Sequence, residues 1–155
     1  MNSQPSAKLF TDGSCIGNPG PGGWGVLLKI GFEEKELSGF DPQTTNNRME
    51  LFAVIRGVET LPQGMHLTIS TDSRYVKDGM TQWIHRWQKN GWRTTAKEPV
   101  KNVDLWTRLV EVLKTHEVSW VWIKGHDGHP ENERADRLAQ KAARQGMASE
   151  KPNSY

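Results

Sequence analysis

The stretch KLFTDGSCIGNPGPGGWGVLLKI, residues 8–30, decides the architecture. Residues 8–11 are apolar and β-prone and run into Asp12 and Gly13, a pair that favours a turn. Residues 17–23 hold two prolines and four glycines, which reads as a wide loop. Trp24, Val26, Leu28 and Ile30 then alternate with other residues, as on a strand with one buried face. Gly31 breaks that run, and residues 33–40 read as a weaker partner strand. The opening is therefore an antiparallel meander.

Downstream the period changes. Thr44 or Thr45 can cap a helix on which Leu51, Val54, Ile55 and Val58 share a face up to Pro62. Glu50 lies roughly 40° from Val54 on that helix, at the margin of the buried stripe. Residues 66–71 alternate as a strand ending at Asp72 and Ser73, which can cap a short helix. Asn102 is placed to cap a helix bearing Leu105, Trp106, Leu109, Val112 and Leu113. Residues 118–124 are apolar on both faces, which predicts a strand that is central or covered by helices. Residues 125–129 read as a loop, and Pro130 opens a terminal helix reaching about Arg144. Strands and helices in this order predict an α/β fold, a mixed sheet with helices on its faces. Residues 1–145 read as one domain and 146–155 as a disordered tail.

Bulk properties bound the function. The 155 residues fit one domain with a substantial core. No apolar run is long enough to span a bilayer, the first residues lack a signal-peptide pattern, and Cys15 is the only cysteine. These features lead us to expect a cytoplasmic monomer with no membrane association. Net charge is only +2, so an argument for nucleic acid has to come from local distribution. Residues 83–101 supply it. Arg86, Lys89, Arg93, Lys97 and Lys101 stand against Glu98 alone, interleaved with Trp83, Trp87 and Trp92. The pattern suits phosphate contacts beside stacking contacts, or equally a tryptophan-anchored helix with a solvated basic face.

Asp12, Glu50, Asp72 and Asp136 carry the chemistry. Singly, each is a common turn, cap or surface acid. Gathered in one site they repel one another unless a cation compensates, and oxygen ligands without cysteine or paired histidines favour Mg²⁺ or Mn²⁺ over zinc. Two such ions suit in-line hydrolysis of a phosphodiester. His126, in the sequence GHDGH, suits a proton carrier or an aid to product release, and equally a loop histidine bonded to backbone. No Walker-type glycine loop supports a nucleotide phosphotransferase.

TDGSCIGNPGPGGWG, TTNNRMEL, STDSRYV, TQWIHRWQKNGW, PVKNVDLW and KGHDGHPENERAD resemble, in order and spacing, the blocks of the bacterial type 1 ribonucleases H. The resemblance runs from about Lys8 to Ala143. It implies a five-stranded sheet, three antiparallel strands then two parallel, with helices on both faces. It also implies an endonuclease that cuts the RNA strand of RNA–DNA hybrids without sequence specificity, leaving 5′-phosphate and 3′-hydroxyl ends. Asp12, Glu50, Asp72 and Asp136 would bind two Mg²⁺ ions, or Mn²⁺ as a substitute, with His126 as a mobile catalytic histidine. Cys15, Asn18, Asn46 and Asn47 would read the minor groove, and Glu50 would help sense a 2′-hydroxyl. Thr45 and Asn102 would hold a DNA-strand phosphate. Arg74, Trp83, Trp87 and Lys101 would complete the substrate contacts.

Three departures stand out. Arg74 replaces a frequent Gln, Asp127 adds an acid beside His126, and Gln88, Asn90 and Glu98 lighten the charge of the tryptophan-rich stretch. Hybrid binding is accordingly expected to be weaker or more salt-sensitive than in a more basic relative. A salt titration that gives equal affinities for the two proteins would refute this.

Overall fold

The computed structural model of the chain describes residues 5–124 and 129–149. Five strands form one sheet in the order β3-β2-β1-β4-β5. β1 (Ser6–Cys15), β2 (Gly20–Ile30) and β3 (Glu33–Thr44) are antiparallel neighbours. β4 (His66–Thr71) joins β1 in parallel, and β5 (Glu117–Trp122) joins β4 in parallel. This is the expected mixed sheet.

Helix α1 (Asn46–Glu59) starts at Thr45, whose side chain accepts from Arg48 N. Its buried side includes Met49, Leu51, Ala53, Val54, Ile55 and Val58. Gly57 lets that helix settle onto Leu9 and Val26. Ser73 caps α2 (Arg74–Asp78), as expected, but the helix does not stop there. A π turn over Gly79–Trp83 carries the chain into α3 (Ile84–Lys89). Gly79 is pressed against the Trp106 indole, where a Cβ would overlap the ring. Trp106 itself is fully buried on α4 (Val103–Leu113), with Leu109 one turn away.

The opposite face of the sheet is covered by α5 (Pro130–Ser149). Ala135, Ala139 and Ala143 form its buried stripe and lie over Gly23 and Gly25 of β2. Small residues on both sides bring helix and strand backbones into direct contact. Lys29–Glu131 at 3.1 Å and the two contacts of Arg134 with Glu34 and Glu36, each at 3.0 Å, tie the same helix to β2 and β3.

Four expectations need correction. Asp12 and Gly13 do not end β1, which continues through the pairs Asp12↔Gly25 to Cys15↔Gly22, because the glycine-rich start of β2 supplies a ladder partner. Residues 118–124 are neither central nor covered on both sides. β5 is an edge strand whose exposure alternates, with Val121 42% exposed, because α5 crosses back over β1, β2 and β3. Asn102 precedes α4 but makes no capping bond; it sits in the left-handed region with φ 61°. The terminal helix runs to Ser149, so residues 146–149 are helical rather than tail.

The contact between Gly25 and α5 has a direct test. A Cβ at Gly25 would lie 2.5 Å from the Ala135 carbonyl oxygen. Gly25→Ala should therefore destabilise the protein by about 2–3 kcal/mol, as overpacking does. The melting temperature should fall by roughly 5–10 °C; an unchanged thermal melt would show that α5 does not rest on this position.

Candidate active site

Asp12 lies two residues past the last β1–β4 pair, Phe10↔Ser70, and Asp72 follows the last residue of β4. Adjacent parallel strands thus deliver two carboxylates to the same end of the sheet. The third arrives through Gly13, where a Cβ would stand 2.5 Å from Glu50 N and 2.6 Å from Met49 C. Only a residue without a side chain lets the first turn of α1 approach so closely. Ligand oxygens of Asp12, Glu50 and Asp72 lie within 4.8 Å of one another.

Asp136 completes the expected four from the other face, but from the rim. It lies outside that tight set, although its carboxylate adds to the proton affinity of Asp12. Both of its oxygens accept from Gln140 Nε2 at 3.2 Å. The approach of α5 at Gly25, the cross-strand partner of Asp12, is what brings Asp136 near.

Burial and mutual repulsion dominate the electrostatics. Asp12 is 8% exposed, and its carboxyl is pushed up to about 8, first by burial and then by the Asp72 charge. Glu50 is raised well above the ordinary glutamate range, first by burial and then by the charge of Asp12. Part of Glu50 reaches the surface, but its Oε2 is buried with no hydrogen-bond partner among the described residues. An orphaned buried oxygen in an all-carboxylate donor set fits a hard divalent cation such as Mg²⁺ or Mn²⁺. Asp12, Glu50 and Asp72 are the residues placed to hold it.

The expected substrate contacts fall into linked groups. Asn18 Oδ1 accepts from Asn46 N at 3.0 Å, tying the glycine-rich loop to the start of α1, with Asn47 exposed beside it. Cys15 sits at the end of β1 and points its Sγ toward the Gly20 and Thr44 carbonyls, each at 3.5 Å. Thr45 and Asn102 are joined through Arg48, whose backbone N–H donates to Thr45 Oγ1 and whose Nη1 donates to Asn102 Oδ1 at 3.2 Å. Arg48 also makes a two-point pair with Asp104, at 3.0 and 2.8 Å. Asn102 Nδ2 in turn donates to the Tyr75 hydroxyl, which also accepts from Trp106 Nε1.

Trp83 and Trp87 are half-buried in an aromatic cluster. Trp87 stands 5.6 Å from Trp83, 6.1 Å from Trp92 and 5.4 Å from Trp106. The basic residues of this stretch, Lys101 among them, are exposed. The structure bears out the second of the two sequence readings: the tryptophans anchor the segment, and a basic face is open to solvent. Arg74 is exposed at the start of α2, two residues from Asp72. His126 and Asp127 lie outside the described residues.

Sequence reasoning overlooked Gly13, Arg48 and Tyr75. Gly13 was read as part of a turn, and a glycine directly after a β-prone run was the one signal of its close contact with α1. Arg48 and Tyr75 left no comparable signal, because their partners are distant in sequence.

A family model described as RNase H matches residues 4–144. A protein named Ribonuclease H from Parvibaculum lavamentivorans is 56% identical over 153 residues, covering 99% of both chains. Another from Rhodospirillum rubrum is 62% identical over 141 residues, covering 89% of this chain and 85% of the relative. The crystal structure of a type 1 RNase H with the type 2 active-site motif aligns with TM-score 0.82 at 36% identity, over 94% of this chain and 75% of that one. An RNase H1 solved in complex with an RNA/DNA hybrid shares the fold, with TM-score 0.69 at 24% identity, over 91% of this chain and 99% of that one.

The raised carboxyl of Asp12 fixes the sign of a stability effect. Its folded value of about 8 exceeds the ordinary 3.8, so the folded state binds this proton more tightly. The resulting stabilisation is complete below about pH 4 and is lost as pH rises through about 8. Asn at this position carries no charge at any pH. Asp12→Asn should therefore raise the melting temperature of metal-free protein by roughly 5–10 °C at pH 8 and by little at pH 4. Thermal melts in chelator across that range check this, and a destabilised variant at pH 8 would overturn it.

Proposed function

The chain belongs to the ribonuclease H family, and from that membership we propose that it is an endonuclease hydrolysing the RNA strand of RNA–DNA hybrids. Cleavage is without sequence preference and leaves 5′-phosphate and 3′-hydroxyl ends. The observation that carries the reading is the set of Asp12, Glu50 and Asp72 ligand oxygens within 4.8 Å of one another, at a site where Asp12 is buried and Glu50 Oε2 has no hydrogen-bond partner among the described residues. Such a set is unstable alone and complete with cations.

Asp12, Glu50 and Asp72, with Asp136 at the rim, are the residues we assign to two Mg²⁺ ions, Mn²⁺ serving as a substitute. When bound, such ions lower the pKa of a water and offset the charge developing on the leaving oxygen of an in-line displacement. The chain's own residues orient the strand. Asn18, Asn46, Asn47 and Cys15 form one edge beside Glu50, suited to reading 2′-hydroxyls and groove shape without a base code. Thr45 and Asn102, held together by Arg48, suit a phosphate of the DNA strand. Lys101 and the basic face around Trp83 and Trp87 extend the backbone contacts. His126 is assigned to proton handling at product release.

A hybrid-binding protein that does not cut is the alternative from another class, and one assay separates the two. Incubation of labelled hybrid with protein and Mg²⁺ should release RNA fragments bearing 5′-phosphates and leave single-stranded RNA and duplex DNA intact. Asp12→Asn or Asp72→Asn should lower the rate by roughly 10³-fold or more, and chelator should abolish it. Cleavage persisting with chelator would defeat the metal assignment. Hybrid binding without cleavage by the parent protein would favour the alternative.

A further inference from the structure

Beside the acid cluster lies a cavity of about 460 Å³, bounded by the end of β4, the first turn of α2 and the residues that follow β5. Arg74, Lys77 and Lys124 line it, together with Asp72 and Trp122. All three cations are exposed, and none forms an ion pair among the described residues. Lys29, Arg48, Arg108 and Arg134, by contrast, each hold a carboxylate. Arg74 and Lys77 are three residues apart on α2 and so share a face, while Lys124 comes from beyond the neighbouring strand. Three cations outnumber the single Asp72 carboxylate around this cavity, so its net charge favours an anion.

We propose that this cavity is an anion subsite that takes a backbone phosphate of the RNA strand next to the linkage being cut, with Lys77 and Lys124 supplying its charge and Arg74 its rim. The assignment rests on the reading of the acid cluster as the place of cleavage. Asp72 is a wall of the cavity and a member of the cluster, so a strand whose reacting phosphate sits at the cluster runs past the cavity. Trp122, half-buried and stacked on Trp120 at 4.8 Å and 8°, provides a fixed apolar wall beside the charges, suited to the sugar of the same nucleotide. Ammonium groups contact phosphates as point charges without reading bases. The subsite therefore places the strand without adding sequence preference.

The experiment measures binding apart from cleavage. Lys77→Gln/Lys124→Gln in the full chain is titrated with hybrid in chelator at several salt concentrations, with folding checked by thermal melt. Affinity should fall roughly 3–10-fold, and the slope of log affinity against log salt should shrink by about 0.7–0.9, since one phosphate fewer is neutralised. The Lys77→Arg/Lys124→Arg variant keeps both charges and should retain the parent's affinity and slope. Hybrids carrying one uncharged methylphosphonate at successive RNA linkages should reveal one position that weakens the parent but leaves the double Gln variant unaffected.

Unchanged affinity and slope in the Gln variant would overturn the subsite. So would weaker binding by the Arg variant, or the absence of any such position along the RNA strand. Failure of the parent to cut hybrid in Mg²⁺ would instead defeat the functional reading, and the binding titration keeps those two failures apart.

Discussion

Two places where a helix backbone rests directly on a strand backbone govern this molecule, and they flank Asp12. Gly13 admits the first turn of α1 on one face of the sheet, and Gly25, paired with Asp12 across the ladder, admits α5 on the other. A side chain at either position would push the helix out by more than its packing tolerates. Glu50 and Asp136 owe their nearness to Asp12 to these two contacts, and Asp72 owes its own to the parallel pairing of β1 with β4. Site and fold are therefore one construction. What concentrates negative charge at the end of β1 is close packing of uncharged backbone.

That concentration opposes folding. Burial raises both Asp12 and Glu50, the Asp72 charge raises both further, and Asp12 raises Glu50, so the metal-free site holds protons that an exposed carboxylate would release at neutral pH. The surrounding packing has to hold the arrangement against this. The stripe of Leu51, Val54, Ile55 and Val58 fixes α1 from below, and the Ala135, Ala139 and Ala143 stripe fixes α5 from above. Arg48 adds a lateral brace. Its contacts to Thr45, Asn102 and Asp104 join α1 to α4, and the bond from Asn102 to Tyr75 extends the link to α2, which begins two residues after Asp72. The acids and the groups proposed to meet the substrate thus share one rigid frame.

Local periodicity made the order of elements legible, since alternation in residues 24–30 and helical spacing in residues 51–58 are properties of neighbouring positions. What depends on distant partners was not legible. The apolar run at residues 118–124 looks central in sequence, yet α5 crosses to the other half of the sheet and leaves Val121 open. The pair Asp12 and Gly13 looks like a stop, yet the glycines of β2 extend the ladder past it. Asn102 looks like a cap, yet Arg48 and Tyr75 engage its side chain from other helices. The acids were recognisable because their blocks are distinctive, whereas Lys77 and Lys124 lie 47 positions apart and meet only because β4 and β5 are parallel neighbours.

The same topology resolves an apparent weakness in the electrostatics. A net charge of +2 argues little for a polyanionic ligand, because the carboxylates and the cations cancel in the sum. They do not cancel in space. Many of the surface carboxylates are spent on pairs that hold helices to the sheet or to each other, as at Glu34, Glu36, Glu59 and Asp104. The acids of the central cluster call for cations, and the lysines and arginines around the end of β4 and along residues 86–101 are left open to solvent. Once the cluster is filled, the surface around it becomes more positive. On the proposed reading, cation binding and attraction of a phosphate backbone reinforce one another, since each lowers the repulsion that the other meets.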